Sequence, residues 1–268
     1  MPVSGMLRRV RRATVLLSFA LLAIASFSVA AAQSGQPAGI TDEAHKMHDL
    51  WIFTLAIATI VFVGVESAIV YCIFAFRRKD DALPKQTHGS TLLEVVWTSI
   101  PVIIVIALFS YSFIVLRDVE NKAAPEDLTV KVQGFQFQWG FTYDLNDLGK
   151  NTPDRNATGE ISILGTAAQQ PTLVIPVDEP VEFALSSNDV IHSFYIRDFL
   201  YKLDVIPGRD NRFVVTARQT GEFHAQCAEL CGLDHALMRF TLKVVTRDEF
   251  DKWVSEQKVT QPAVQKPQ

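Results

Sequence analysis

Apolar residues run almost without interruption in three stretches of this chain, and elsewhere they alternate with polar ones. The first stretch, Ala13 to Ala32, carries no charge, follows Arg8, Arg9, Arg11 and Arg12, and closes on Ala30-Ala31-Ala32. A basic start, an apolar middle and small residues at the end predict a cleaved secretory signal peptide over residues 1–32. The apolar part is long, so an uncleaved anchor helix is the alternative, and the lack of a cysteine at the cleavage point argues against a lipoprotein. Residues 33–48 read as a polar extracytoplasmic linker containing Gly and Pro. The second stretch, Leu50 to Phe76, holds a single charged side chain, Glu66, and is long enough to cross a hydrocarbon core of about 30 Å. It predicts a transmembrane helix over residues 49–79, whose cytoplasmic end is marked by Arg77, Arg78 and Lys79. A cytoplasmic loop, residues 80–91, leads to the third stretch, Val95 to Leu116, and a returning helix over 92–117. Pro101 lies near its start, where a helix tolerates proline best. Glu66 would be costly against lipid, so it is expected to face a partner or water, in a structural or a functional role.

Beyond Ala124-Pro125 the pattern changes to short apolar runs bounded by Gly, Pro, Asn and Asp. Strands are predicted over Leu128 to Phe137, Thr172 to Val177, Val181 to Ser186, Arg212 to Thr216, Glu222 to Cys227 and Met238 to Val245. Asn156-Ala-Thr-Gly159, Asp178-Glu-Pro180 and Pro207-Gly208 are the turn signals between them. Many short strands at fairly even spacing predict a Greek-key β-sandwich over residues 125–246. Aromatic residues alternate along Gly134 to Tyr143, as on a strand with one buried face. From Arg247 the pattern gives a short amphipathic helix, and the Gln/Pro/Lys tail to residue 268 reads as disordered. The fold class is therefore an α+β membrane protein, with a two-helix transmembrane hairpin followed by an extracytoplasmic β-sandwich.

Composition sharpens this picture in two places. From Glu120 onward there are 21 acidic and 15 basic side chains, more lopsided than the net charge of −4 suggests. An acidic outer domain would steer a basic partner toward it, or would simply be soluble. Of the three cysteines, Cys72 lies in the second apolar run and reads as an inert thiol.

The other two cysteines carry the candidate chemistry. Cys227 and Cys231 lie four residues apart, His235 follows four later, and Met238 three beyond that. A disulfide is conceivable in an oxidising compartment, but it has no use for the trailing His and Met. Zinc accepts Cys and His, yet its sites space histidines in their own pair, and thioether is a poor zinc ligand. Thiolate and thioether select copper, and imidazole suits it. A second nitrogen ligand is available from His192, in Asp189-Val-Ile-His192-Ser.

The string C-x-E-x-C-G-x-x-H-x-x-M with its upstream D-V-I-H-S resembles the copper A site of subunit II of haem–copper cytochrome c oxidases. The similarity extends from about His48 to Val245. It takes in Glu94-Val-Val-Trp97-Thr98-Ser-Ile-Pro101, similar to the family's E-x-x-W-T-x-x-P, and Asp204-Val-Ile-Pro207-Gly208-Arg209, similar to its D-x-I-P-G-R turn. The resemblance implies a cupredoxin form for the sandwich. It also implies a dinuclear copper held by His192, Cys227, Glu229 through its carbonyl, Cys231, His235 and Met238. The Glu229 carboxylate resembles the family residue that binds Mg2+ or Mn2+ at the contact with subunit I. Glu94 matches the family's carboxylate at the mouth of a proton path, the alternative being a helix N-terminal carboxylate favoured by the helix dipole. Where the family has G-x-Q-W-x-W, this chain has Phe137 at the first Trp position and keeps only Trp139. Either Trp139 or Phe137 then takes the incoming electron, or the donor differs. His224 lacks a family counterpart and is expected to be structural.

The resemblance implies an oxidase in which cytochrome c, or a membrane-bound c-type cytochrome, reduces the copper pair. Electrons then pass to haem in subunit I for reduction of oxygen to water with proton pumping. Subunit III is a further expected partner, and the expected location is a bacterial cell membrane. All six copper ligands are present, which argues against a quinol oxidase subunit. A copper-delivery module or the copper subunit of a divergent nitric oxide reductase are the alternative readings.

Overall fold

The computed structural model describes residues 36–78, 86, 88–120, 128–144, 159–166 and 169–260, with side chains as far as 257. The signal segment, most of the loop after Lys79, the Asn156–Gly159 turn up to Thr158 and the tail beyond 260 lie outside them. The chain divides into two compact units, one containing Asp49–Phe113 and the other Pro37–His48 with the chain from Ile114.

The first unit is built on α1 (Asp42–Ala75) and α2 (Thr91–Val119). Both are long and apolar enough to cross a membrane. Their apolar side chains point outward: Phe62, Phe74, Trp97 and Phe109 are all well over half exposed. Polar groups inside the apolar runs are met locally, since Thr54 and Thr59 donate to the carbonyls of Leu50 and Leu55 one turn back. Phe53 and Tyr111 make an edge-to-face contact between the helices. At the start of α2 the hydroxyl of Ser90 accepts from Leu93 N–H, and Glu94 lies in the first turn, exposed, where the helix dipole favours a carboxylate. Glu66 is exposed on α1.

The second unit is a sandwich of two five-stranded sheets. The strands are β1 (Leu128–Phe135), β2 (Gln138–Asp144), β3 (Glu160–Leu164), β4 (Thr172–Pro176), β5 (Pro180–Ser187), β6 (His192–Ile196), β7 (Tyr201–Val205), β8 (Asn211–Thr216), β9 (Gly221–Cys227) and β10 (Arg239–Val245). One sheet has the order β3-β2-β1-β5-β8 and the other β4-β10-β9-β6-β7. Parallel pairing of β1 with β5 and of β4 with β10 gives the Greek-key crossings. Phe141, Phe183, Phe194, Phe213 and Phe240 fill the space between the sheets, with Trp139 between Phe194 and Phe240. Tyr143 ties one sheet to the other: its hydroxyl donates to Val174 O at 2.9 Å and accepts from Val174 N–H at 2.8 Å.

The pattern predicts one strand over Leu128–Phe137, but the structure ends it at Phe135 and turns back through Gln136 and Phe137. The reason is parity. Leu128, Val130 and Val132 are even-numbered, whereas Trp139, Phe141 and Tyr143 are odd, so one continuous strand would send the two sets to opposite faces. The two-residue turn pairs Val132 with Phe141 and Val130 with Tyr143, placing both sets in one core. Strands β3, β6 and β7 add to the predicted set. β6 shows no alternation because His192, Ser193, Phe194 and Ile196 are all buried. The predicted C-terminal helix is α3 (Arg247–Thr260), capped by Thr246 and Glu249 in reciprocal hydrogen bonds.

The stretch before the sandwich is bound to it. Thr41 bridges to Ala217, Arg218 N–H donates to Ile40 O, and the Arg218 guanidinium pairs with Asp42 and Asp178.

Candidate metal centre

Two loops at one end of the sandwich supply the predicted ligands. The β9–β10 connection starts at Cys227 and ends at Met238, and is closed at its base by Cys227 N–H donating to Met238 O at 2.9 Å. Within it Gly232 adopts φ +140°, a conformation that favours glycine. The sequence Cys227, Glu229, Cys231, His235 and Met238 is thereby folded into one tight loop. The other loop leads from β5 to β6, and pairing of Phe194 with Cys227 sets His192 beside the first thiol.

The donor atoms converge. The ligand atoms of His192, Cys227 and Cys231 lie within 4.8 Å of one another. Cys227 Sγ is 3.9 Å from His192 Nδ1 and 3.2 Å from the Glu229 carbonyl oxygen. Cys231 Sγ is 3.6 Å from His235 Nδ1 and 3.8 Å from Met238 Sδ. The two thiols are free rather than joined, so the disulfide reading fails in this structure. His192, Cys227, Cys231 and Met238 are buried, while His235 is half-buried.

Electrostatics favour a cation here. Burial pushes the Cys227 thiol up, but hydrogen bonds from His192 and from the Ser193 backbone outweigh it and lower its pKa to about 7. Burial, then the neighbouring charge on Cys227, push Cys231 the other way. The two titrate as a pair: one thiolate forms readily and the second is opposed until positive charge arrives. Burial lowers and the Cys227 and Asp189 hydrogen bonds raise the His192 pKa, the net shift being upward.

Sequence reasoning assigned no role to Asp189 or Gln136. Asp189 Oδ1 lies 2.9 Å from His192 Nε2, and its other oxygen accepts from Gln136 N–H at 2.6 Å. An ionised carboxylate only accepts, so the neutral ring carries its proton on Nε2 and turns a bare Nδ1 toward Cys227, whereas the protonated ring donates from both nitrogens. The Asp189 bond is the orienting contact that metal-binding histidines commonly have. Burial opposes the Asp189 charge, yet the bonds from His192, Gln136 and Val190 lower its pKa to about 2. A carboxylate three residues before a lone candidate ligand was the available signal.

The other expected residues fall as follows. Trp139 is fully buried, 6.1 Å from the His192 ring between centroids, so no partner protein can touch it. Phe137 is half-buried at the β1–β2 turn and packs on the ligand loop, where a Cβ on Gly232 would come within 2.8 Å of its ring. His224 is exposed on the face of β9 opposite Cys227 and Ala225. The Glu229 side chain is exposed, as are Leu230, Leu233 and Leu237 on the same loop and Ile191 on the other.

Comparison with known sequences bears on both units. Residues 28–115 match the family described as cytochrome C oxidase subunit II, transmembrane domain. Residues 128–245 match cytochrome C oxidase subunit II, periplasmic domain. The chain belongs to the cytochrome c oxidase subunit II family. Among its relatives is a probable cytochrome c oxidase subunit 2 of Rickettsia bellii, 34% identical over 220 residues that cover 81% of this chain and 80% of that one. A probable cytochrome c oxidase subunit 2 of Streptomyces avermitilis is 36% identical over 249 residues, covering 83% and 78%. A solved structure of the periplasmic domain of subunit II of cytochrome oxidase of Bradyrhizobium japonicum is 36% identical, covers 53% of this chain and 98% of that one, and superposes with a TM-score of 0.43. As a subunit II chain, this is a membrane protein with an extracytoplasmic domain, and the cluster of His192, Cys227 and Cys231 fits copper.

Proposed function

We infer that this chain is the electron-accepting subunit of an aerobic respiratory cytochrome c oxidase in a bacterial cell membrane, and that its centre is the dinuclear copper A type. The observation that carries this is the convergence of two free thiols, two imidazole Nδ1 atoms, a thioether and a backbone carbonyl at one end of a sandwich. Two thiols sharing one pocket suit a pair of metal ions better than a single one. A bound copper pair supplies a one-electron couple spread over both ions.

The chain's own residues supply the rest. Cys227, Cys231, His192 and His235 would hold the pair, and Met238 with the Glu229 carbonyl would be weak ligands that tune its potential. Asp189 fixes the His192 ring, and the buried aromatic wall of Trp139, Phe194 and Phe240 excludes water behind it. Phe137 is the contact for the donor, cytochrome c or a membrane-bound c-type cytochrome, because it combines exposure with packing on the ligand loop. The exposed Leu230, Leu233 and Leu237 belong to a surface covered in the assembled oxidase, against subunit I, with the Glu229 carboxylate holding Mg2+ or Mn2+ there. Subunit III completes the complex. Glu94 serves the proton path into subunit I.

The test is direct. The full chain, purified in detergent and loaded with copper, is expected to bind two coppers per chain. Its spin-resonance spectrum should show one electron shared by two equivalent copper nuclei. One copper per chain with a mononuclear signal would replace this reading with that of a copper-delivery module.

A further inference from the structure

Gln136 touches both ligand loops at once. Its backbone N–H donates to Asp189 Oδ2 at 2.6 Å, and Asp189 Oδ1 holds His192 Nε2 at 2.9 Å. Its side-chain Nε2 donates to the Cys231 carbonyl at 2.7 Å, in the middle of the β9–β10 loop. At the base of the site the two loops are already joined by sheet pairing and by Ala228 N–H donating to Ser193 O. Those bonds fix Cys227 beside His192 but leave the stretch from Cys231 to Leu237 held by bonds local to the loop, such as His235 N–H to Gly232 O. Gln136 reaches that stretch from outside the hairpin. Its fit is close, since a Cβ on Gly232 would lie 3.1 Å from Gln136 Nε2 and under 3 Å from Phe137.

We propose that Gln136 is a positioning residue that sets the distance between the two ligand loops, tying the Cys231 side of the centre to the His192 side through one residue. This rests on the copper reading for its consequence but not for its geometry. The two arms are separable. Glutamate at 136 keeps size and the backbone N–H but, when ionised, cannot donate to a carbonyl; asparagine at 189 weakens the other arm and leaves the Cys231 bond intact. The effect is expected at the metal, because orienting contacts of this kind typically change metal affinity by about 10–100-fold.

Two readouts on the full chain in detergent test it. In the copper-loaded protein, Gln136→Glu should lose copper to a chelator about tenfold or more faster than the parent, with an altered copper hyperfine pattern. In the copper-free protein, alkylation followed by peptide mass analysis should show Cys231 reacting several-fold faster while Cys72 is unchanged. Lys131→Ala, which breaks an exposed ion pair with Glu160 across the same sheet, should change neither. If the parent binds no copper pair, the copper reading falls and the alkylation result still decides the role of Gln136. If the parent binds the pair and Gln136→Glu matches it in copper loss, spectrum and thiol reactivity, the proposal is overturned.

Discussion

The sandwich and the helical pair both carry many apolar side chains, and they dispose of them in opposite directions. In the sandwich Trp139, Phe183, Phe194 and Phe240 are turned inward and almost wholly buried; on the helices Phe62, Phe74 and Phe109 are turned outward. A packed interior positions donor atoms to fractions of an ångström, because each side chain has one place to go. An outward apolar face positions nothing by itself and relies on lipid or neighbouring protein for cover. The metal chemistry therefore belongs to the first region, and Glu94, a candidate of the second, stands at a helix end.

The sharpest way to break this contrast is to remove a thiol. Cys227→Ser should abolish the dinuclear copper signal and electron uptake entirely while both helices still insert, as measured by spin resonance on the membrane-extracted chain. Next comes a matched pair of truncations. Phe194→Ala should destabilise the sandwich by about 3–5 kcal/mol, whereas Phe62→Ala should leave the melting of the sandwich unchanged. Equal losses from the two would refute the inward–outward distinction. Glu94→Ala is the mirror image of the cysteine variant: turnover of the assembled oxidase should fall several-fold with the copper spectrum intact. A normal rate would return Glu94 to a capping role. Met238→Leu should retain copper yet shift its potential and slow electron transfer, and unchanged kinetics would exclude Met238 as a ligand.

The smallest expected effect concerns Asp42. The hydrogen bond from Arg218 is the main cause that holds its carboxyl below the usual range. A depressed folded-state value stabilises above the unfolded carboxylate pKa of about 3.9 and is lost as pH falls through the lower one. The melting difference between the parent and Asp42→Asn should thus be present at pH 7 and shrink as pH falls below about 3.9. The pair is exposed, so the difference should also shrink with added salt.

Legibility in sequence followed the same divide between local and distant information. Four candidate ligands, Cys227, Cys231, His235 and Met238, stand in a single short string whose spacing points to them, the Glu229 carbonyl follows from the family resemblance, and the helices announce themselves by unbroken hydropathy. His192 is 35 residues from Cys227 and became a candidate only through its D-V-I-H-S neighbours. The turn at Gln136 and Phe137 was written in the parity of Val130 and Val132 against Phe141 and Tyr143, a signal that a simple count of alternating aromatics overlooks. Strand β6 was hidden because both its faces are covered and its residues do not alternate. The link from Gln136 to Cys231 spans 95 positions and has no local pattern at all; it exists only once the sheets are stacked.

The bond between Tyr143 and Val174 has a consequence for how the domain opens. The Val174 amide hydrogen is bonded not to its own sheet but to a hydroxyl carried by the opposite one. Its exchange with deuterated solvent therefore requires β4, the edge strand that carries it, to part from the opposite layer. That one proton acts as a gauge of separation between the layers, and its exchange rate should track the slowest amides of the domain.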